Sequence, residues 1–129
     1  MSKHTIDYET LRTNIVLHKN TDAVTKTIAS MSKDELNAPT FDAPSGSAIR
    51  AFGAQKITLL ELATDSANQD VVNLLIKAKV KVDRPLNSKG DTVVDFAQKQ
   101  STSGGGNSPS TQTISTALED YSRSQKARP

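Results

Sequence analysis

Aliphatic residues recur at helical spacing in the first part of the chain, and a polar run at 19–22 interrupts them. The recurring positions are Leu11, Ile15, Val24 and Ile28. Their spacing predicts two short antiparallel helices, over about 8–18 and 22–31. Ser32 and Glu35 then fit the capping box, in which both side chains bond to exposed backbone N–H groups at a helix start. The pattern therefore predicts another helical turn from Ser32.

The clearest helical pattern lies between residues 57 and 100. Two aliphatic groups separated by a polar turn at 65–68 predict a second pair of helices. Beyond them, apolar and polar residues alternate over 77–83, which predicts a helix end running into a strand or hairpin arm. Turn-forming residues follow at 84–90, and the helical pattern restarts at Thr92.

Three segments lack a core-forming pattern. Residues 37–56 mix prolines and glycines with scattered apolar side chains, which predicts a long irregular connection. The Ser- and Gly-rich residues 101–111 predict a flexible, exposed insertion. Helical spacing returns at 113–121, and the polar, basic residues 122–129 predict a frayed tail. The length of 129 residues suits one domain, so residues 1–129 are assigned to a single domain.

The chain also repeats itself internally. Thr-Leu-Leu-Glu-Leu-Ala at 58–63 aligns with Thr-Val-Val-Asp-Phe-Ala at 92–97, so that every apolar position matches. Together with Val-Val-Asn-Leu-Leu-Ile at 71–76, these segments resemble the ankyrin repeat. That family's helix–turn–helix–hairpin unit has about 33 residues and opens with Thr-Pro-Leu-His-x-Ala. The resemblance is clearest over 57–100 and is weak over 8–36.

Six residues depart from the family's pattern in this chain. Leu59 and Val93 replace a proline, Glu61 and Asp95 replace a histidine, and Ala67 and Lys79 replace glycines. The Thr-x-x-acid pattern before both first helices supplies a cap without proline. Glycine at the Lys79 position usually adopts a left-handed conformation, which costs a residue with a Cβ about 1 kcal/mol. We therefore expect either local strain at Lys79 or a different helix end.

The resemblance implies an all-α fold, a short ankyrin-like helix–turn–helix repeat stack of about three units with irregular hairpin and loop connections. It also implies a non-enzymatic protein–protein interaction module, which could serve as a regulator or effector that binds another protein. In such modules the partner contacts the hairpin tips and the inner helix face. The corresponding residues are Lys81, Arg84, Leu86, Lys89, Glu61, Asp65, Asp95 and Lys99. The 37–56 connection offers a second candidate surface, with Phe41, Arg50 and Phe52.

Charge is uneven along the chain, although the formal net charge is only +2. Between residues 76 and 90, five cations accompany the single anion Asp83. The alternation places Lys79 and Lys81 on one side of the arm, away from its valines. Three interpretations remain: a solvated edge that lysines protect from strand pairing, a docking patch for an acidic protein, and a nucleic-acid site. The first is preferred. No nucleic-acid partner is predicted, because no aromatic residue interleaves with the lysines for base stacking.

Residues suited to catalysis or metal binding are few. The chain has no cysteine, which excludes disulfides, thiolate zinc sites and a cysteine nucleophile. Its two histidines, His4 and His18, are too far apart in sequence to suggest a metal site. The Gly-Gly-Gly run lacks the Gly-Lys-Ser/Thr of a phosphate cradle, and no serine sits in a Gly-x-Ser-x-Gly elbow. We therefore predict no cofactor, no metal and no enzymatic activity. The alternative is a small enzyme with its site between the 37–56 connection and the helices.

Hydropathy gives an expectation for the compartment. No apolar run approaches the ~20 residues of a membrane span, and the first residues are not followed by the apolar stretch of a signal peptide. The absence of cysteine is compatible with a reducing cytosol. These features predict a cytoplasmic protein with no membrane partner, and they leave export by a specialised system open.

Overall fold

The computed structural model describes residues 7–43, 45–102 and 109–126. Within these ranges the chain forms eight helices and one short antiparallel ladder. The helices are α1 (Tyr8–Val16), α2 (Thr21–Ser30), α3 (Lys33–Asn37), α4 (Ala48–Ala51), α5 (Leu59–Asp65), α6 (Gln69–Lys77), α7 (Val93–Thr102) and α8 (Pro109–Lys126). The strands are β1 (Phe41–Asp42) and β2 (Lys56–Ile57). The chain is mostly helical, in agreement with the predicted all-α class.

Side-chain caps explain where two of the helices begin. Ser32 accepts the Glu35 N–H at 3.2 Å while Glu35 accepts the Ser32 N–H at 2.8 Å, so the predicted capping box of α3 is confirmed. Thr58 and Glu61 form the same box at the start of α5, with distances of 3.3 and 2.9 Å. Each box satisfies backbone donors that a helix start leaves unpaired, and so sets the first residue of its helix.

Six of the helices pack as three pairs in two layers. The pairs are α1 with α2, α5 with α6, and α7 with α8. In one layer α5 contacts both α1 and α7, and in the other layer α6 contacts both α2 and α8. Buried side chains from all six helices form one continuous core. They include Leu11, Ile15, Val24, Ile28, Leu62, Val72, Leu75, Phe96, Ile114 and Leu118. Each pair therefore depends on its neighbour to exclude water from its apolar face.

Three residues with a Cβ adopt the left-handed backbone conformation in the part of the chain that the structure describes. Lys19 (φ 49°) and Ala67 (φ 56°) lie in the links within the first two helix pairs, just before the N-terminal caps of α2 and α6. Lys79 (φ 65°) follows the end of α6, where its N–H donates to the carbonyl of Ile76. Of the two alternatives expected at Lys79, the structure shows the left-handed conformation, which costs a residue with a Cβ about 1 kcal/mol relative to glycine.

The arm at 77–83 differs from the prediction of a strand or hairpin. Val80 and Val82 are buried while Lys79 and Lys81 are exposed, as the alternation predicts. No residue of 78–92, all of which the structure describes, belongs to a strand. The backbone of the arm bonds to side chains instead: the Lys81 N–H donates to Asn37 Oδ1 at 2.8 Å, and the Val80 carbonyl accepts the Tyr121 hydroxyl at 2.8 Å. The prediction of a strand here is wrong because these side chains take the place of a neighbouring strand.

The connection at 37–56 is more regular than its composition predicts. It contains β1, α4 and the first residue of β2. Phe41 pairs with Ile57 and Asp42 with Lys56 across the antiparallel ladder. Between the strands, Ile49 of α4 is fully buried in the core. The prediction of an irregular connection is corrected in this respect, because the ladder joins its two ends and Ile49 anchors its middle.

The last helix, α8, is longer than the sequence predicts. α8 contains the helix expected at 113–121 and continues through residues 122–126, which the sequence assigns to the frayed tail. Arg123 lies 3.5 Å from Glu119 and 3.7 Å from Asp120, and these pairs support the added turn. Residues 103–108 of the predicted insertion and 127–129 of the predicted tail lie outside the described residues. Neither α8 nor any shorter helix in the described ranges has the length and apolarity that crossing a membrane requires.

Candidate functional site

Two of the predicted contact residues belong to the core. Phe41 is buried and packs edge to face on Tyr8, with 5.7 Å between ring centroids and 80° between ring planes. Leu86 is also buried, and its N–H donates to the Asp91 carbonyl at 2.6 Å. Both were expected on an exposed surface because the sequence places them in loops. The correction follows from burial: Phe41 in β1 and Leu86 in the loop after the arm leave almost no side-chain surface for a partner to contact.

Glu61 and Arg84 pair with each other. Only 3% of the Glu61 side chain is exposed, against 31% for Arg84. Arg84 donates from Nη2 to Glu61 Oε1 at 2.7 Å and from Nε to Oε2 at 3.3 Å. A further bond joins Arg84 Nη2 to the Lys56 carbonyl at 2.8 Å. This fork-like ion pair ties the loop after α6 to the start of α5 and to β2. Both residues were predicted as partner contacts. That prediction is corrected for Glu61, which is too buried for a partner to reach, while Arg84 is partly exposed and neutralised by Glu61.

Asp65 also acts within the fold. It is the last residue of α5, and its carboxylate accepts the Ile49 N–H at 3.1 Å. Burial raises the pKa of Asp65 above its ordinary value, and the hydrogen bond from Ile49 opposes that rise. Asp65 therefore holds the start of α4 against the end of α5, and Phe52 is the residue that caps the other end of α4.

Phe52 is the point where three segments meet. Its half-buried ring lies 5.3 Å from the Phe96 ring of α7, at an interplanar angle of 62°. The ammonium of Lys99, also on α7, lies 5.9 Å from the centre of the Phe52 ring. The Phe52 carbonyl accepts the side-chain amide of Asn87 at 2.8 Å. The connection, the inner helix face and the loop after the arm, which the sequence suggests as separate candidates, are therefore brought together at Phe52.

Asn87 is a site residue that the sequence analysis missed. Its Oδ1 accepts the N–H groups of Lys89 at 3.0 Å and of Asp91 at 3.2 Å, while its Nδ2 donates to Phe52. Gly53 has φ 121°, and a Cβ there would lie 2.7 Å from Asn87 Cβ, so this approach requires glycine. The sequence identifies Asn87 as a turn former, but nothing local indicates its bond to a residue 35 positions away. We call Phe52, Asn87, Lys89 and Lys99 the Phe52 surface.

The exposed predicted residues besides Phe52 and Lys99 each stand on a different segment of the chain. Lys81 projects from the arm, and Lys89 from the loop that Asn87 organises. Asp95 accepts the Thr92 N–H at 2.9 Å at the start of α7, so it serves the helix end as the Thr-x-x-acid pattern predicts. Arg50 donates to the Ala43 carbonyl at 2.9 Å, which holds it beside β1.

An open depression of about 460 Å³ lies where the enzyme alternative expects a site, between the connection and α1. Its lining includes Tyr8, Glu9, Arg12, Thr40, Asp42 and Arg50. A hydrogen bond and the positive charge of Lys56 lower the pKa of Asp42. Asp42 therefore stays ionised near neutral pH, whereas a proton donor needs a raised pKa. Across the described ranges, no group of three or more acidic or histidine side chains is placed to hold a metal ion.

Comparison of the chain with protein-family models, with curated proteins and with solved structures finds no match.

Proposed function

We propose that this chain is a non-enzymatic protein–protein interaction module of the ankyrin-repeat type. The observation that carries the proposal is the order of helix packing, in which three sequential helix pairs stack and α5 and α6 each contact both neighbours in their own layer. Such nearest-neighbour stacking is the defining property of repeat modules, which present extended surfaces for binding. The left-handed residues Ala67 and Lys79, at positions where the family has glycine, add support from the backbone.

The Phe52 surface is the proposed partner contact. It combines a half-buried aromatic ring with a cation above it, and Asn87 organises the adjoining loop. Aromatic side chains are enriched at interaction hot spots because they contribute a large contact area with little loss of side-chain entropy. The backbone around Phe52 is held by Asp65 from one side and by Asn87 from the other, so little ordering is needed on binding. A regulator or effector could act through this surface by occupying another protein.

Affinity capture from a native lysate tests the proposal. Wild type should retain a partner that the charge-reversed variant Lys89→Glu/Lys99→Glu loses at least tenfold. The matched control is Lys26→Glu/Lys33→Glu, which makes the same charge change at exposed positions of α2 and α3. Circular dichroism should show that all three proteins keep the same helical content. A partner captured equally by all three, or no partner enriched over an unrelated helical protein, would argue against the proposal.

A further inference from the structure

The two strands of the ladder differ at their outer edges. Asp42 lies opposite Lys56, and the next residue along, Ala43, donates its N–H to the Gln55 carbonyl at 2.8 Å. Because only alternate residues of an antiparallel strand bond to the partner strand, Asp42 and Lys56 direct their backbone groups away from the ladder. On β2, Arg84 donates to the outward carbonyl of Lys56 at 2.8 Å. On β1, the N–H and carbonyl of Asp42 have no partner among the described residues, and we call this side the free edge of β1.

The open depression of about 460 Å³ runs along the free edge of β1. Residues 40–43 all line it, although consecutive residues of an extended chain turn their side chains to opposite faces. A depression that all four residues line therefore follows the edge of the strand rather than one of its faces. Tyr8 and Arg12 of α1 also line it, whereas Lys56 and Ile57 of β2 do not. The space beside β1 that a third strand would occupy is thus open.

An added strand would place its side chains in two different environments. The buried Phe41 ring packs against Tyr8, so the Phe41 face of the ladder is turned toward α1. Asp42 is exposed on the other face, where it forms an ion pair with Lys56. A residue paired with Asp42 would share that exposed face, and the residues before and after it would point toward α1.

Arg12 makes the α1 side of the depression suitable for a carboxylate. The residue is half-buried, and within the ranges that the structure describes its guanidinium forms no hydrogen bond or ion pair. Arg50 adds a second positive charge to the lining. The acidic residues of the lining are Glu9 and Asp42, and Lys56 already neutralises Asp42. Positive charge is therefore in excess, which favours an acidic ligand.

We propose that the free edge of β1 binds an extended acidic segment of a partner protein as a third, antiparallel strand. One residue of the segment exchanges two backbone hydrogen bonds with Asp42, and a carboxylate next to that residue contacts Arg12. A second copy of this chain fits the edge less well, because pairing through β1 would bring two Asp42 carboxylates opposite each other. This contact is additional to the Phe52 surface, whose four residues are all described and do not line the depression.

Fluorescence anisotropy on the full chain, with a labelled peptide in which threonine and glutamate alternate, tests the proposal. In the bound register every glutamate faces α1, and every threonine directs its N–H toward the free edge. N-methylation of the threonines should weaken binding at least tenfold, because it removes the donors that pair with β1. N-methylation of the glutamates is the matched control and should change the affinity less than threefold, since their N–H groups point away from β1.

Variants of the protein test the same two contacts. Arg12→Gln should weaken binding at least threefold, whereas Lys26→Gln makes the same charge change on exposed α2 and should stay within twofold of wild type. Asp42→Pro removes the outward N–H but not the ladder bonds of its neighbours, and should weaken binding at least fivefold. Asp42→Ala keeps that N–H and should bind at least as tightly as wild type. Circular dichroism checks that the variants keep the same helical content.

The proposal is overturned if wild type does not bind the peptide, if both N-methylated peptides lose the same affinity, or if Lys26→Gln weakens binding as much as Arg12→Gln. It is also overturned if wild type forms a dimer that Asp42→Pro dissociates, because a second copy would then occupy the edge. The N-methylated peptides are measured on wild type, so their result does not depend on the folding of a variant. Failure here would leave the proposed function standing, because the capture experiment changes the Phe52 surface and leaves the free edge intact.

Discussion

Replacing Arg84 with methionine should destabilise the fold, although the substitution touches a residue that the sequence places on a binding surface. Methionine keeps most of the aliphatic stem but removes all three hydrogen bonds of the guanidinium. Glu61 then remains buried, and the hydrogen bond from the Thr58 N–H at 2.9 Å is the one that its carboxylate keeps. An unpaired charge in that position is unfavourable because the protein replaces its hydration with few other donors.

The magnitude follows from the burial of the two partners. Removing one member of a fully buried ion pair costs about 3–5 kcal/mol. The Arg84 side chain is 31% exposed, so water can reach the vacated edge of Glu61 and compensate in part. We therefore expect Arg84→Met to lower the free energy of unfolding by about 2–3 kcal/mol. Glu61→Gln keeps an acceptor for Thr58 and should cost about 1–2 kcal/mol.

Urea unfolding monitored by circular dichroism measures these differences in the free energy of unfolding, provided that the variants and wild type have equal m-values. The double variant should lose less than the sum of the single losses, with a coupling energy of about 1–2 kcal/mol. Lys56→Met is the matched control, since it breaks an exposed ion pair with Asp42 and should leave the urea midpoint unchanged. A loss below ~1 kcal/mol for Arg84→Met, or additive single losses, would refute the structural assignment and return Arg84 to the candidate binding residues.

Leu62→Ala and Phe96→Ala should each lower the free energy of unfolding by about 2–5 kcal/mol, because both side chains are almost fully buried; losses under ~1 kcal/mol at both would contradict the repeat register. Asp65→Asn should raise the thermal midpoint at pH 7, because burial raises the pKa of Asp65 in the fold and so disfavours its charged form. This gain should shrink as the pH falls through that raised pKa and vanish below the ordinary value of 3.8, so a gain that persists in acid would exclude this cause. Thr58→Val should cost about 1 kcal/mol in urea, since it removes the cap acceptor of α5, and unchanged stability would show that the cap is dispensable.

Short-range chemistry made much of the fold predictable. Helical spacing located α1, α2, α5 and α6, and the Ser-x-x-Glu and Thr-x-x-Glu patterns located two capping boxes. Helix hydrogen bonds and caps join residues three or four positions apart, so a local pattern contains the information needed. The left-handed conformation at Lys79 was one of two alternatives implied by the resemblance, because the ankyrin repeat has glycine at this position.

The candidate site was harder to predict because its parts are distant in sequence. The residues at 84–90 predict a turn. Whether this turn faces solvent or Phe52 depends on the position of the 37–56 connection, which the local sequence does not specify. A period of two at 77–83 correctly gives the buried valines, but it cannot distinguish a strand from an extended arm bonded by Tyr121 and Asn37. The sequence likewise predicts Arg84 and Glu61 as partner contacts, whereas the fold brings them together as an ion pair.

The amino-acid order thus specifies the helices, their caps and the aliphatic faces that must be buried, since these follow from neighbouring residues and the 3.6-residue period. Which helix faces pack against each other, and whether a charged side chain is paired or exposed, depends on contacts between residues distant in sequence. Asn68 illustrates this: its oxygen caps α6 three residues away, while its amide donates to the Ile15 carbonyl 53 residues away. The first bond forms within one helical turn. The second exists because the apolar faces of two helix pairs can exclude water only by stacking, and that stacking brings Asn68 and Ile15 within 3.0 Å of each other.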